Sequence, residues 1–475
     1  MQTNKIIQII ILVLLMLLSM AAVSTLLEVK DQTRNLILGI GLFVALLSFL
    51  WRDSPLDAKL LFILVLGYAL GGKGFAHVSL VEPIYIGEIT LLFCVLGFAV
   101  RPRQMCLFET PIHKCIWVYL IYAGIHLIVD FESYRLLAIR DSSMAYYALY
   151  FVTAYSLFHN DRVMRTFGRA IKIAFGLSVF SMAYAISTID REFPGFFPHV
   201  DSYIPLCAGG VLYCLIIGIE QKKILHLVFA CLVALAVSST KTAALLALAA
   251  VVVSSIVYGR IGKLIMPGII IGLMGIVALC VVAIADVDTA LNLISGGETA
   301  ETIGIQGGEF VGFSGTTQWR WLWWSVICSD TLQLAPFWGQ GFGADITGPF
   351  LEAWLGPAHA DPAGYARYPH NAMITNFGRL GFIGLTIFCI LFIAIGLFAL
   401  KFCSRYFCDP QRRDADIICF GVVVAGMVNA TLQATYEVPY GAVIHWTCLA
   451  YMAARFYLPA SELTHSTEDE IEAQH

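Results

Sequence analysis

The chain has 475 residues, of which 59% are hydrophobic and 13% are charged, and its formal net charge is −4. Soluble globular domains carry about 25% charged residues, whereas apolar runs such as 6–27 and 264–285 are long enough to cross a hydrocarbon core of about 30 Å. A soluble enzyme, a nucleic-acid-binding protein and a disordered chain are therefore excluded. The composition indicates a polytopic membrane protein.

Apolar runs bounded by charged residues, prolines or glycines predict about fourteen transmembrane helices, or twelve to thirteen if the shortest runs are not spans. In chain order the predicted helices cover 5–27, 36–51, 58–72, 84–100, 114–130, 142–158, 169–188, 202–219, 223–238, 242–259, 263–285, 371–401, 415–433 and 439–457. The first run is longer than the core of a secretory signal peptide, so we expect it to remain as a span. The fold class that follows is an all-α polytopic membrane protein.

The distribution of basic residues predicts how these helices are oriented, because cytoplasmic loops carry an excess of Lys and Arg. With the N-terminus inside, 19 of the 29 basic residues fall on one side of the membrane, and the alternation holds along the whole chain. Both termini are therefore predicted to be cytoplasmic, and the long connection 286–370 is predicted to face outward.

The connection 286–370 is the main departure from a plain helix bundle, since loops longer than about 12–15 residues are usually functional or disordered. Four tryptophans lie within Gln318–Trp324, which predicts a helix at the membrane interface. The predicted domains are an N-terminal transmembrane bundle of about eleven spans (1–285), the large outward loop with its interfacial helix (286–370), about three C-terminal spans (371–458) and a cytoplasmic tail (459–475).

Few cations are predicted on the outward side, and three of them are candidate phosphate-binding residues. Arg320 lies among the tryptophans, where its guanidinium either binds phosphate or reaches water along the indole rings. Lys241, within Ser238–Thr242, and Arg140, within Ile139–Ser142, either contribute to a phosphate site or lie beside residues that cap a helix. The residues alone leave both interpretations open at each position.

Three further features of the sequence have a similar ambiguity. His370 directly precedes a predicted span and either caps that helix or exchanges a proton near neutral pH. Gly339, Gly341 and Gly343 either cradle a phosphate or supply the positive φ of a tight turn. Glu88, inside the fourth predicted span, is either a functional acid or the partner of a nearby side chain.

The cysteine and histidine spacings give no support for metal chemistry. The 13 cysteines lie mostly within apolar runs and form no CxxC pair, and no His-x-x-Glu-His motif is present. We therefore predict that phosphate chemistry at the outward face uses Arg, Lys and His side chains rather than a divalent cation.

Four motifs follow one another in a recognisable order. They are an Arg among aromatic residues (Arg320), Pro-x-x-Gly-x-Gly-x-Gly (Pro336–Gly343), His-Asn (His370 and Asn371) and Gly-x-x-Gly (Gly381–Gly384). Together they resemble the O-antigen ligase/polymerase family. The resemblance implies a GT-C-like glycosyltransferase of the bacterial inner membrane, with many helices and one large periplasmic loop. It also implies glycan transfer from undecaprenyl pyrophosphate to an acceptor hydroxyl at the periplasmic face, without a metal, a cofactor or a nucleotide sugar.

The same resemblance implies roles for individual residues. His370 would assist deprotonation of the acceptor hydroxyl, and Arg320 would bind the carrier pyrophosphate and stabilise charge on the leaving group. Lys241, within Ser239–Ala243, stands where the family often has the Arg of Ser-x-Ser-Arg-Gly, and it would bind the same pyrophosphate. Arg140 is a further candidate cation, placed at the site by topology.

The sequence leaves the reaction and the acceptor open. A ligase would pass a finished glycan to lipid A–core, whereas a polymerase of the same family would join repeat units into a growing O-antigen or exopolysaccharide. A transporter of lipid-linked glycan is a further alternative, although transporters usually show repeated halves and charges at mid-membrane. A non-catalytic scaffold of a polysaccharide export complex is the last alternative, and it would not depend on His370.

Overall fold

The computed structural model describes residues 54–76, 79–81, 84–101, 108–187, 203–238, 313–347, 368–407 and 413–458. Contacts divide the chain into two units, Met1–Ile63 and Leu64–His475. The described residues of the first unit hold the start of a helix, and the packing presented below lies within the second unit.

The described residues are predominantly helical. The helices are α1 (Leu56–Ala76), α2 (Ile86–Val100), α3 (Pro111–Tyr134), α4 (Leu136–Asp141), α5 (Ser143–Tyr146), α6 (Leu149–Leu157), α7 (Asp161–Ser187), α8 (Ile204–Glu220), α9 (Ile224–Ser238), α10 (Phe313–Leu334), α11 (Ala372–Tyr406), α12 (Asp414–Ala430) and α13 (Pro439–Tyr457). Two short antiparallel strands, β1 (Ser79–Val81) and β2 (Ile84–Tyr85), lie between α1 and α2. Apart from this small sheet, the predicted helical architecture is confirmed for the described part of the chain.

The predicted spans within the described residues coincide with helices, although some boundaries shift by one or two turns. The predicted span 142–158 is divided into α5 and α6. At this division Ala148 N–H bonds to Ala145 O (3.0 Å) and Tyr150 N–H bonds to Tyr147 O (3.0 Å), three positions back instead of four, which tightens the helix locally. Four predicted spans lie outside the described residues, namely 5–27, 36–51, 242–259 and 263–285.

Three of the described helices, α1, α3 and α11, are long and apolar enough to cross a membrane. On α3 one face is buried and carries Tyr119 and His126. The other face exposes large apolar side chains that recur at helical spacing, namely Val118, Ile121, Ile125 and Ile128. Soluble proteins rarely expose such a continuous apolar stripe, so this face of α3 suits contact with lipid.

Helix α12 packs against α7, α8, α11 and α13, and α11 also packs against α3 and α10. Where α12 begins and α13 ends, Arg455 pairs with Asp416 (3.3 Å), and Arg413 pairs with Asp161 (3.3 Å). Both arginines belong to the set that is predicted to face the cytoplasm. The candidate site lies at the opposite ends of α12 and α13.

A break in α11 determines where the glycine-rich loop 336–343 binds. The helix is interrupted at Gly381, where φ is +64°, a conformation that favours glycine. Four backbone hydrogen bonds join the loop to the broken turn: Gln340 N–H to Gly378 O (2.8 Å), Gly341 N–H to Arg379 O (3.0 Å), Phe382 N–H to Pro336 O (2.9 Å) and Ile383 N–H to Phe337 O (3.4 Å). The loop therefore satisfies the backbone groups that a straight helix would pair internally.

We expect Gly381→Ala to destabilise the protein. An alanine Cβ would lie 2.4 Å from the backbone of Phe337, and the residue would have to keep its positive φ. Together these effects cost about 2–4 kcal/mol. Thermal unfolding of the detergent-solubilised protein measures the loss. The control is Gly124→Ala, because a Cβ at Gly124 meets no atom within 4 Å. Equal midpoints for the two variants would contradict the structural role of the break.

Candidate active site

A buried ion pair joins α4 to α11. Arg379 Nη1 lies 2.9 Å from Asp141 Oδ2, and both side chains are fully buried. The same Nη1 lies 3.1 Å from the carbonyl oxygen of Ala344. Because an unpaired buried charge is strongly destabilising, this pair fixes α4 and the end of the glycine-rich loop against α11. The sequence analysis did not single out this pair, although an arginine inside the predicted span 371–401 is a signal for one.

Carboxylates bind the backbone N–H groups of the glycine-rich loop. Gly343 N–H donates to Asp141 Oδ2 (3.0 Å), and Phe342 N–H donates to Asp130 Oδ2 (2.7 Å). The three glycines of the motif have φ between 84° and 90°. Of the two interpretations of this motif, the structure favours the tight turn, because these carboxylates occupy donors that a phosphate would need.

The face of α10 that carries Arg320 packs against the turn that contains His370. Residues three and four apart on a helix share a face, so Arg320 lies on the same face as Trp323 and Trp324. Trp324 Nε1 donates to Pro369 O (2.6 Å), and the Trp323 ring lies edge-on to the His370 ring with centroids 6.3 Å apart. Two residues that the sequence predicted to act together are therefore carried by elements in contact.

The tryptophan-rich segment is helical, within α10, and the position predicted for its tryptophans is wrong for Trp323. This side chain is fully buried in the protein rather than at headgroup depth. It packs in an apolar cluster with Ile327, Ala344 and Ile346. Apolar surface from α10 and the glycine-rich loop therefore surrounds the indole, and α10 is docked on the protein through this residue.

The backbone at His370 has an unusual conformation. Its φ is +57°, in the left-handed region that non-glycine residues rarely adopt. The N-cap of α11 is Asn371, whose Oδ1 accepts from Met373 N–H (2.9 Å), so capping does not explain the histidine. Strained backbone costs about 1–3 kcal/mol per residue and clusters at active sites. This conformation therefore supports a functional role for His370.

The predicted cations Arg320 and Arg140 contact two other segments of the site. Arg320 Nη1 donates to Leu432 O (3.0 Å), in the loop 431–438 that joins α12 to α13. The carbonyl oxygen of Arg140 accepts from the Tyr368 hydroxyl (3.3 Å). Burial and Asp141 raise the pKa of Tyr368 to about 12, while the charges of Arg379 and Arg140 oppose this rise. Arg140 is thus placed near the segment that leads to His370.

Lys241 is the remaining residue that was predicted to bind pyrophosphate. It lies outside the described residues, so its role stays a prediction.

Glu437 is a buried acid that the sequence analysis did not single out. It lies in the loop 431–438 and is 3% exposed. Its Oε1 accepts from Thr375 Oγ1 (2.8 Å), and its backbone oxygen accepts from Ser143 Oγ (3.1 Å). Burial raises the pKa of Glu437 to about 7. The sequence signal for this residue is a single acid between two apolar runs, within Thr435–Pro439.

Glu88 lies in the first turn of α2 and is held by tyrosines. Its Oε1 accepts from Tyr146 (3.1 Å) and from Tyr147, and its Oε2 accepts from Tyr85 N–H (3.1 Å). The structure therefore favours the interpretation in which this acid is partnered by neighbouring groups.

Metal-ligating side chains do not cluster within the described ranges. No group of three or more His, Cys, Asp or Glu residues there could hold a metal ion. The metal-free reaction stays a prediction, because these ranges are only part of the chain.

The apolar helices define a helical membrane protein, and comparison with known proteins relates part of the chain to a family. The family model described as O-antigen ligase matches residues 226–389. The match includes α10, the glycine-rich loop, His370 and the first half of α11, and it confirms the resemblance that the motifs indicate. Residues 226–389 are therefore similar to the O-antigen ligase family. No curated protein matches the chain at a significant level.

We expect Asp141→Asn to lower the free energy of unfolding by about 3–5 kcal/mol, because the buried charge of Arg379 then loses its ion pair with Asp141. The asparagine keeps an oxygen that accepts from Gly343 N–H, so the change removes the charge alone. Adding Arg379→Met removes the buried cation, and we expect this double variant to be more stable than Asp141→Asn. Unfolding in detergent measures both. Additive losses in the double variant would contradict the ion pair.

Proposed function

We propose that this protein is a glycosyltransferase that moves a glycan from undecaprenyl pyrophosphate to an acceptor hydroxyl. The reaction takes place at the periplasmic face of the bacterial inner membrane, in the manner of an O-antigen ligase, with lipid A–core as the acceptor. The contact between α10 and the His370 turn carries this proposal. It joins the helix that carries Arg320 to the turn that carries His370, within the segment that matches the O-antigen ligase family.

The pyrophosphate leaving group is the part of the reaction that needs cations. Negative charge develops on it as the bond between the anomeric carbon and the phosphate oxygen breaks, and a fixed cation in a site shielded from water stabilises that charge. Arg320 presents a planar fork of donors that suits phosphate, and its bond to Leu432 O helps to orient it. Arg140 and Lys241 are the proposed additional cations.

The acceptor hydroxyl must lose a proton as it attacks the anomeric carbon. Imidazole can take such a proton near neutral pH, and His370 is the group that we assign to this step. The constrained backbone of His370 and the neighbouring Trp323 ring restrict the orientation of the imidazole.

The polyprenyl tail of the donor needs an apolar environment. Large apolar side chains are exposed on α3 and on the second half of α11, where Ile390, Ile393 and Leu397 are about half exposed. We propose that the tail runs along lipid-facing surfaces of this kind.

A polymerase of the same family is the alternative, because it uses the same leaving group and differs in its acceptor. A transporter of lipid-linked glycan has less support. Transporters use broken helices and intramembrane charges to bind their substrates. Here the break in α11 is closed by hydrogen bonds to the glycine-rich loop, and the buried charge of Arg379 is paired with Asp141.

We expect Arg320→Lys to reduce glycan transfer by about 10²-fold or more, because an ammonium lacks the bidentate fork. Lysine can still donate to Leu432 O, so protein level and unfolding midpoint should stay unchanged. Membrane vesicles supplied with the lipid extract of a deletion strain, which contains unused donor and acceptor, measure the rate. Lys223→Ala, at an exposed cation between α8 and α9, is the control. Full activity of Arg320→Lys would contradict this assignment.

We expect His370→Gly to lose about 10²-fold or more of the transfer rate, and added imidazole to restore part of it. Glycine suits the positive φ at this position, so the backbone is not disturbed. His226→Gly, on α9, should transfer glycan at a rate that imidazole does not change. If His370→Gly is fully active, or inactive and not rescued at any imidazole concentration, the histidine does not carry the proton.

The glycan profile of a deletion strain distinguishes a ligase from a polymerase. We expect full-length glycan to remain attached to the lipid carrier and lipid A–core to remain unsubstituted. Single repeat units on lipid A–core would instead identify a polymerase. Lipid-linked glycan trapped on the cytoplasmic face would contradict both enzymes and identify a transporter.

A further inference from the structure

The proton that leaves the acceptor hydroxyl needs a final acceptor within the site. We propose that Glu437 is this acceptor, and that the proton reaches it after His370 has taken it from the hydroxyl. The inference rests on the proposed function and adds a second proton-transfer residue to the same site.

The two carboxylate oxygens of Glu437 differ in their hydrogen bonding to the residues that the structure describes. Oε1 accepts from Thr375 Oγ1 (2.8 Å). Oε2 is buried and makes no hydrogen bond with any residue that the structure describes. A buried carboxylate oxygen without a donor costs free energy, so native proteins rarely keep one unless it has a function. Oε2 is therefore the atom of Glu437 that is suited to take a proton.

Hydrogen bonds on two sides hold Glu437 to the segments that flank His370. On one side, Thr375 Oγ1 also lies 2.9 Å from the carbonyl oxygen of Asn371, the residue after His370. On the other side, Ser143 Oγ donates to the backbone oxygen of Glu437 and lies 3.3 Å from the hydroxyl of Tyr368. The carboxylate is thus held to the same chain segment as the imidazole.

The loop 431–438 also ties Glu437 to the proposed leaving-group site. Arg320 Nη1 donates to Leu432 O in this loop. The group that binds pyrophosphate and the group that ends the proton path are therefore positioned by one short connection between α12 and α13.

Among the described residues, titratable groups from three elements face Glu437. Arg379 on α11 and Tyr119 on α3 interact with it electrostatically, and Tyr436 precedes it in the loop. The Tyr436 hydroxyl in turn lies 3.1 Å from His445 Nε2. Burial outweighs the opposing effects of the hydrogen bond from Thr375, of the backbone of Glu437 and Tyr436, and of the charge of Arg379, and the pKa of the carboxyl rises to about 7. Glu437 can therefore both accept and release a proton near neutral pH.

The balanced step is as follows. The acceptor oxygen forms a bond to the anomeric carbon, and the bond from that carbon to the phosphate oxygen breaks with its electron pair leaving on pyrophosphate. The hydroxyl proton moves to the His370 imidazole and then to Oε2 of Glu437, from which water removes it after the product leaves.

Glu437→Gln tests this role without removing the contact to Thr375, because the amide oxygen still accepts that hydrogen bond. We expect the transfer rate in vesicles to fall by about 10²-fold or more, with protein level and unfolding midpoint unchanged. Glu132→Gln, an exposed acid on α3, is the matched control and should keep the wild-type rate.

The pH dependence separates proton transfer from a structural role. Wild-type activity should fall as the pH drops below about 7, because protonated Glu437 cannot accept a proton. Thr375→Val removes a hydrogen bond that lowers the pKa of Glu437, so the acidic limb should move to higher pH while most of the maximal rate is kept. In Glu437→Gln the acidic limb that remains should be that of His370, and adding Thr375→Val should no longer shift it.

Two results would overturn the role of Glu437. One is a Glu437→Gln rate within about threefold of wild type, since loss of a proton acceptor costs at least about 10²-fold. The other is an equal loss in Glu437→Gln and Thr375→Val with an unshifted pH profile, which indicates a structural contact. If Arg320→Lys loses transfer in the same vesicles, the proposed glycosyltransferase stands although Glu437 does not take part.

Discussion

The buried pair of Asp141 and Arg379 is the interaction on which the rest of the site depends. One carboxylate oxygen of Asp141 contacts both the guanidinium and the N–H of Gly343, so a single side chain joins α4, α11 and the glycine-rich loop. Removing either partner leaves an uncompensated charge in an apolar interior, which is far more costly than the net stability that such a pair contributes. Other arrangements of α4, α11 and the glycine-rich loop are therefore disfavoured, because they would separate the two buried charges. Arg140 and Ser143, which flank this position, are held near the His370 segment as a result.

The chemistry proposed for the site divides between two kinds of group. Arg320 has a fixed charge and is suited to the anion that leaves, whereas His370 and Glu437 change their charge and are suited to the proton that moves. The structural elements that hold these three side chains differ accordingly. The arginine is carried on a regular helix, while the imidazole lies in a strained turn and the carboxylate in a buried loop. Pre-organised donors and acceptors of this kind need little rearrangement during reaction, which is the main source of electrostatic catalysis.

Hydropathy predicted the helices well, because the length of an apolar run and its charged ends reflect the membrane directly. The ordered motifs also predicted Arg320 and His370, which the fold carries on contacting elements. The sequence could not predict the pairing of Asp141 with Arg379, since it depends on how α4 meets α11. Glu437 was missed for the same reason: its burial and raised pKa arise from groups on other helices.

Local patterns were least informative where two physical explanations produce the same residues. Glycines that could cradle phosphate form tight turns, in which carboxylates bind the N–H groups of Phe342 and Gly343. A tryptophan typical of a membrane interface fills an apolar cluster instead. The most direct test of the central claim is the binding of undecaprenyl pyrophosphate to the purified protein in nanodiscs, measured by native mass spectrometry. Wild type should bind it in preference to undecaprenol, and Arg320→Lys should bind it at least about tenfold more weakly, a difference of about 1.4 kcal/mol. Equal binding of the two lipids, or equal affinity in the two proteins, would contradict a diphosphate site at Arg320.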